Sequence, residues 1–151
     1  MSGPIPSRWS PTLQSVLRIV AAFLFVAHGT SKLFSFPAGA GPPHPIALAS
    51  LPGIGGVIEA FGGLLLLLGL FTRPIAFLAA GEMAVAYFMV HARNGFWPLV
   101  NHGEAAVIFC FVWLYFVAAG PGPWSLDAMF GGRGPEGLKL TEHPPRRVSA
   151  A

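Results

Sequence analysis

Four stretches of the chain are almost wholly apolar, and each is bounded by proline, glycine or charge: Leu13 to Phe34, Ile54 to Leu70, Pro74 to His91, and Gly103 to Ala119. A bilayer core of about 30 Å takes about 20 helical residues to cross, and each stretch is close to that length. Lipid offers no partner to an open backbone amide, so the pattern predicts helices that span a membrane. The expected fold is all-α, a four-helix transmembrane bundle.

The breaks between stretches agree with these limits. Pro37, Pro42, Pro43, Pro45 and Pro52, with glycines among them, make the first connection a loop, with a short re-entrant helix expected around Ile46 to Leu51. Thr72 and Arg73 precede Pro74 in a tight turn, where a proline at a helix start loses no hydrogen bond. Gly120, Pro121, Gly122 and Pro123 stop the last helix. Beyond Phe130 glycine, proline and arginine dominate, the composition of a disordered tail. The expected organisation is a cytoplasmic segment over residues 1–12, a membrane domain over 13–130 and a disordered cytoplasmic tail over 131–151, without an internal repeat. His28 and Lys32 stand where a leader peptide needs a small-residue cleavage site, so the first helix is expected to remain uncleaved.

Lysine and arginine in short loops set orientation. With the N-terminus inside, Arg8, Arg73, Arg133, Lys139, Arg146 and Arg147 are cytoplasmic and Arg93 faces out, so both termini are expected in the cytoplasm. Trp9, Trp97 and Trp124 fall near helix ends, where interfacial aromatics belong.

Composition sharpens the picture. Of 151 residues 54% are hydrophobic and only 10% charged, against about 25% charged in soluble domains. The net charge of +3 comes largely from the tail and is not interleaved with aromatics, which excludes a nucleic-acid partner and fits attraction to lipid headgroups. A single cysteine, Cys110, excludes an internal disulfide and a CxxC pair.

The candidate chemistry lies in the charges inside the apolar stretches, since each costs about 2.5 to 3.5 kcal/mol at the bilayer centre. Arg18, His28 and Lys32 sit in the first helix, Glu59 in the second, Glu82 in the third and Glu104 in the fourth. At about 100° per residue, Arg18, Phe25, His28 and Lys32 share one face; Glu59 shares one with Gly55, Gly62 and Gly63; Glu82 aligns with Ala79, Ala86, Met89 and Arg93; Glu104 aligns with Ile108, Phe111 and Tyr115. Turned inward together, these faces form a polar pocket near the outer side. Glu59, Glu82 and Glu104 are its candidates for proton exchange; Arg18, Phe25, His28, Lys32, Phe111 and Tyr115 are candidates for contacting a ligand. Arg18 and Lys32 do not balance three glutamates, so protonated His28, inward-leaning Arg93 or a protonated carboxyl must make up the difference. Ion pairs that only join helices are the plainer alternative, although buried pairs are a poor source of stability. His91 and His102 fall on the opposite faces from Glu82 and Glu104, as rim residues. With Glu104 they lack a fixed ligand motif, so no metal site is assigned.

These residues resemble a known family. LRIVAAFLFVAHGTSKLF, with Arg18, Gly29 and Lys32, resembles the first helix of DoxX-type membrane proteins; IEAFGGLLLLLGLFTRPIA, with Glu59, Gly62, Gly63, Gly69, Thr72 and Arg73, resembles the second helix and its turn. Glu82, Glu104 and the closing GPGPWSLD extend the resemblance over about Leu13 to Phe130. It implies a four-helix bacterial inner-membrane protein related to a membrane subunit of thiosulfate:quinone oxidoreductase and to proteins of oxidative-stress and thiol-redox assemblies. The function expected is a redox-linked membrane subunit that takes a quinone or similar molecule, with no cofactor of its own, a redox partner protein and a possible homo-oligomer. A non-enzymatic scaffold recruiting an extracytoplasmic partner and a small-solute transporter stand as the alternatives.

Overall fold

The structure, a computed structural model, describes residues 7–40 and 44–131. Among these residues every regular element is helical. Ser7–Phe34 (α1), Leu51–Leu68 (α2) and Thr72–Asn94 (α3) are long and apolar enough to cross a membrane. The short Pro98–Asn101 (α4) precedes Glu104–Ala119 (α5), a shorter apolar helix, and Leu126–Phe130 (α6) closes the described chain. Residues 132–151, the greater part of the expected tail, lie outside the described residues.

Both α1 and α2 start earlier than hydropathy places them, because Pro11 and Pro52 occupy first turns that need no amide donor. Residues 46–50, expected as part of a re-entrant helix, form only a turn. Ser50 explains the difference: its hydroxyl accepts from the Gly53 amide and caps α2.

The helices meet in two ways. α1 and α2 approach backbone to backbone at Gly29, where any Cβ would overlap the Ala60 backbone, and at Gly63, where it would press on Val26. α3 offers α5 a stripe of small residues, Ala76, Ala79 and Ala80, and α5 fills it with Phe109, Trp113 and Phe116. Phe25 of α1 joins this layer, its ring centroid 5.4 Å from Phe109 and 5.3 Å from Trp113. The fourth stretch was expected to turn Glu104, Ile108, Phe111 and Tyr115 inward, but the structure turns that face outward. The wide gap beside the alanines selects the stripe of Phe109, Trp113 and Phe116 over the face that carries the Glu104 carboxylate.

One end of the molecule is fastened by side chains bonding to carbonyls that helix ends leave unpaired. Arg18, fully buried, donates from Nε to the Pro121 carbonyl at 2.8 Å, from Nη1 to those of Leu67 at 2.7 Å and Leu66, and from Nη2 to that of Trp124. Gln14 donates to the Gly120 carbonyl at 2.8 Å, and Arg73 to those of Val117 at 2.6 Å and Ala118 at 2.9 Å. Arg18 thus ties the ends of α2 and α5 to α1. Gly69 makes the sharp exit from α2 with φ +67°, and its missing Cβ leaves room for the guanidinium and Ser125. Asp127 completes the arrangement by accepting from the Phe71 and Thr72 amides, each at 2.8 Å, at the start of α3.

Replacing Arg18 with alanine strands carbonyls from two helix ends in a dry site, and the expected loss is about 3 to 5 kcal/mol in unfolding titrations in mixed micelles. Arg18→Lys recovers only part, because an ammonium lacks the planar fork. A second expectation concerns pH. Partial burial alone would push the Asp127 carboxyl up, but the Thr72 and Phe71 amides and nearby Arg18 hold it below the ordinary carboxylate value. A lowered value means the cap contributes fully above the ordinary carboxylate range and is lost as pH falls through the lowered value. Asp127→Asn should abolish this acid-side loss in a stability profile against pH.

Candidate functional site

At the other end of the helices Lys32 and Glu59 form an ion pair with Nζ 2.6 Å from Oε2. The ammonium is the charge partner of Oε2, which accepts no other hydrogen bond. Glu59 is only 2% exposed. Local structure puts it there. Ile58–Gly62 winds as a π-helix, a widening that re-aims side chains and recurs at functional sites. The α1–α2 contact at Gly29 holds this segment against α1, and Gly56 lets the Lys32 stem lie on α2.

Glu82 reaches toward the same region from α3. A Cβ on Gly55 would stand 2.8 Å from its Oε1, so the bare position gives the carboxylate its room. Its Oε2 is buried without a donor. Glu59 and Lys32 both lie within electrostatic reach of it.

Between α2 and α3 opens a cavity of about 420 Å³. Lys32, Glu82 and His91 supply its polar groups; Leu51, Ile54, Ile58, Leu78, Val85 and Val90 are among its apolar walls. His91 belongs to a second π-helical segment, Tyr87–His91. Its Nδ1 lies 3.1 Å from the Asn101 carbonyl. A carbonyl only accepts, so Nδ1 carries the proton and a neutral ring keeps Nε2 as an acceptor. The connection beyond it is braced: the Tyr87 hydroxyl donates to the Phe96 carbonyl, Asn101 Nδ2 to that of Gly95 at 2.6 Å, and the Gly103 amide to Asn101 Oδ1 at 2.8 Å.

The remaining candidates are dispersed. Arg18 lies fourteen positions before Lys32 on one helix, about 21 Å away at 1.5 Å per residue, and its donors are spent on carbonyls. Phe25 is fully buried in the aromatic layer. His28 is exposed, edge-on to Phe109 at 5.8 Å. Glu104, Phe111 and Tyr115 are exposed on the outward face of α5, away from the cavity lining. The expected common pocket of three glutamates with Arg18 and Lys32 is therefore corrected to Lys32, Glu59 and Glu82, with His91 at the cavity edge. Met89 and Arg93, aligned with Glu82 by the helical period, are exposed because the π-helical segment breaks that period. Among the described residues no group of three or more His, Cys, Asp or Glu is placed to hold a metal. Sequence reasoning placed His91 on the rim and Gly55 on the Glu59 face, but did not single out Gly81; the signal available was a glycine directly before Glu82.

Comparison with known proteins adds the lineage. The DoxX family profile matches residues 13–92. An uncharacterized protein of Haemophilus influenzae is 40% identical over 126 residues, covering 82% of this chain and 94% of that protein. The uncharacterized membrane protein Rv3486 of Mycobacterium tuberculosis is 28% identical, covering 74% of this chain and 77% of that protein. No solved structure matches the chain significantly.

The ion pair yields a clear expectation. Lys32→Met leaves Glu59 buried without its cation and should destabilise the protein by about 3 kcal/mol, whereas the double change with Glu59→Gln should restore at least half of that loss. A double-mutant cycle read by unfolding in micelles measures the coupling.

Proposed function

This protein belongs to the DoxX family of multi-pass membrane proteins, and we propose that it binds a small lipid-soluble molecule of the quinone class as the membrane subunit of a redox system. The observation that carries this is the cavity between α2 and α3, where Lys32 and Glu82 meet an apolar-walled space of about 420 Å³. Ligand pockets of drug-sized molecules fall in the same range and combine apolar walls with a few polar groups. In this arrangement the Lys32 ammonium donates to a head-group oxygen, Glu59 holds Lys32 in place, and Glu82 gives or takes a proton as the head changes redox state. The electrons are assigned to a separate redox protein. The proposal includes a four-helix transmembrane bundle over residues 13–130 in a bacterial plasma membrane, with both termini cytoplasmic. Arg73 and the Arg18 cage then lie toward the cytoplasm, as the positive-inside rule favours, and Lys32, Glu59 and Glu82 lie toward the outer side.

Binding of a short-chain benzoquinone to the protein in nanodiscs tests the proposal. Saturable binding by the wild type is expected, and Glu82→Gln should weaken it about tenfold, equivalent to 1.4 kcal/mol, and remove its pH dependence. Absence of saturable binding by correctly folded wild type overturns it.

A further inference from the structure

We infer that the ligand enters the cleft sideways from the bilayer, across bare backbone at Gly81, and that Gly81 determines which apolar tails are accepted; this rests on the binding role proposed above. The outward face of α3 carries Phe77, Leu78, Val85 and Phe88, which are 68%, 49%, 43% and 65% exposed. Gly81 interrupts this row and is itself exposed. No atom lies within 4 Å of the place its Cβ would take. That sets it apart within the long helices. Gly29, Gly55, Gly56, Gly62 and Gly63 each have a neighbour close to where a side chain would begin, so packing accounts for them. Packing does not account for Gly81, and glycine is a poor helix former. What the missing side chain leaves is a gap in the wall of the cavity, one residue from Glu82 and level with the polar end.

The direction of the opening follows from the solvent. Phe77 and Leu78, which flank the gap and line the cavity, lie on an apolar surface that faces acyl chains when α3 spans a membrane. A water-soluble molecule has no route there. The occupant that fits is a membrane-dissolved molecule whose neutral, hydrogen-bonding head passes to Lys32 and Glu82 while a flexible apolar tail crosses the backbone at Gly81 and remains in lipid.

The test compares two probes in nanodiscs, a benzoquinone without a tail and the same head with a ten-carbon tail. Wild type should bind both. Gly81→Leu, which fills open space and should keep its thermal stability, should bind the tailless probe as wild type does and the tailed probe at least tenfold more weakly, with Gly81→Ala between them. Leu114→Phe, an enlargement on exposed surface of α5, should change neither. Equal binding of the tailed probe by wild type and Gly81→Leu overturns lateral entry while leaving the proposed function standing, as does equal loss of both probes. Failure of the wild type to bind the tailless probe removes the proposed function and this inference with it. A phospholipid found by native mass spectrometry in wild type, lost in Gly81→Leu and not displaced by the tailed probe, also overturns it, because the gap is then a lipid seat.

Discussion

Inside a bilayer a polar group has only the protein to bond to, and the two ends of this molecule meet that constraint in different ways. At one end the cationic and amide side chains of Arg18, Gln14 and Arg73 are turned onto backbone carbonyls at the termini of α2 and α5. Those carbonyls are partly negative and already fixed in place, so a guanidinium among them needs no carboxylate in direct contact. At the other end the groups are ionisable on both sides, Lys32 against Glu59 with Glu82 close by. The first solution engages all three guanidinium nitrogens of Arg18; the second leaves Glu82 Oε2 buried with nothing to accept from. A structural joint and a chemically open site are thus separated along the same helices.

The open site depends on close approach. Lys32 and Glu59 meet because α1 and α2 touch along Gly29, Gly56 and Gly63, and a side chain at Gly29 would drive the two backbones apart. The π-helical turn at Ile58–Gly62 supplies the rotation that points Glu59 inward from that contact. On the far wall a second π-helical turn places His91 at the cavity edge. Both departures from regular winding flank the cavity, on the two helices that form its walls.

Much of the fold could be read from the chain, because apolar length and proline placement are local properties. The helices α1, α2, α3 and α5 follow from them, with ends displaced only where a proline or a capping serine adds a turn. Facing was harder. A regular helical period was applied to segments that include π-helical turns, and it carried Met89 and Arg93 to the wrong side. In α5 the charged residue was assumed to face inward; the decisive quantity was instead the volume beside Ala76, Ala79 and Ala80, which only the packed structure supplies. Arg18 was read as a member of the charge cluster because sequence shows a cation and not the carbonyls awaiting it. The group of Lys32, Glu59 and Glu82 was legible by depth and by glycine-marked faces; the empty position at Gly81 was not, since a glycine in sequence does not reveal whether its space is filled.

Charge parity at the cleft bears on what it can hold. Two carboxylates face one ammonium, with His28 exposed and His91 engaged through Nδ1 to a backbone carbonyl. With both carboxyls ionised the cleft is net negative and disfavours an anionic head group. With one of them protonated it is neutral and offers two donors, an ammonium and a carboxylic acid, which suits a head that presents carbonyl oxygens. A head that presents hydroxyls instead needs an acceptor, and the same carboxyl provides one by giving up its proton. Only a carboxyl that is not already bound by a cation can make that exchange without leaving a buried charge stranded. Glu59 is held by Lys32, so in the proposed function the exchange is assigned to Glu82, whose Oε2 has no other partner.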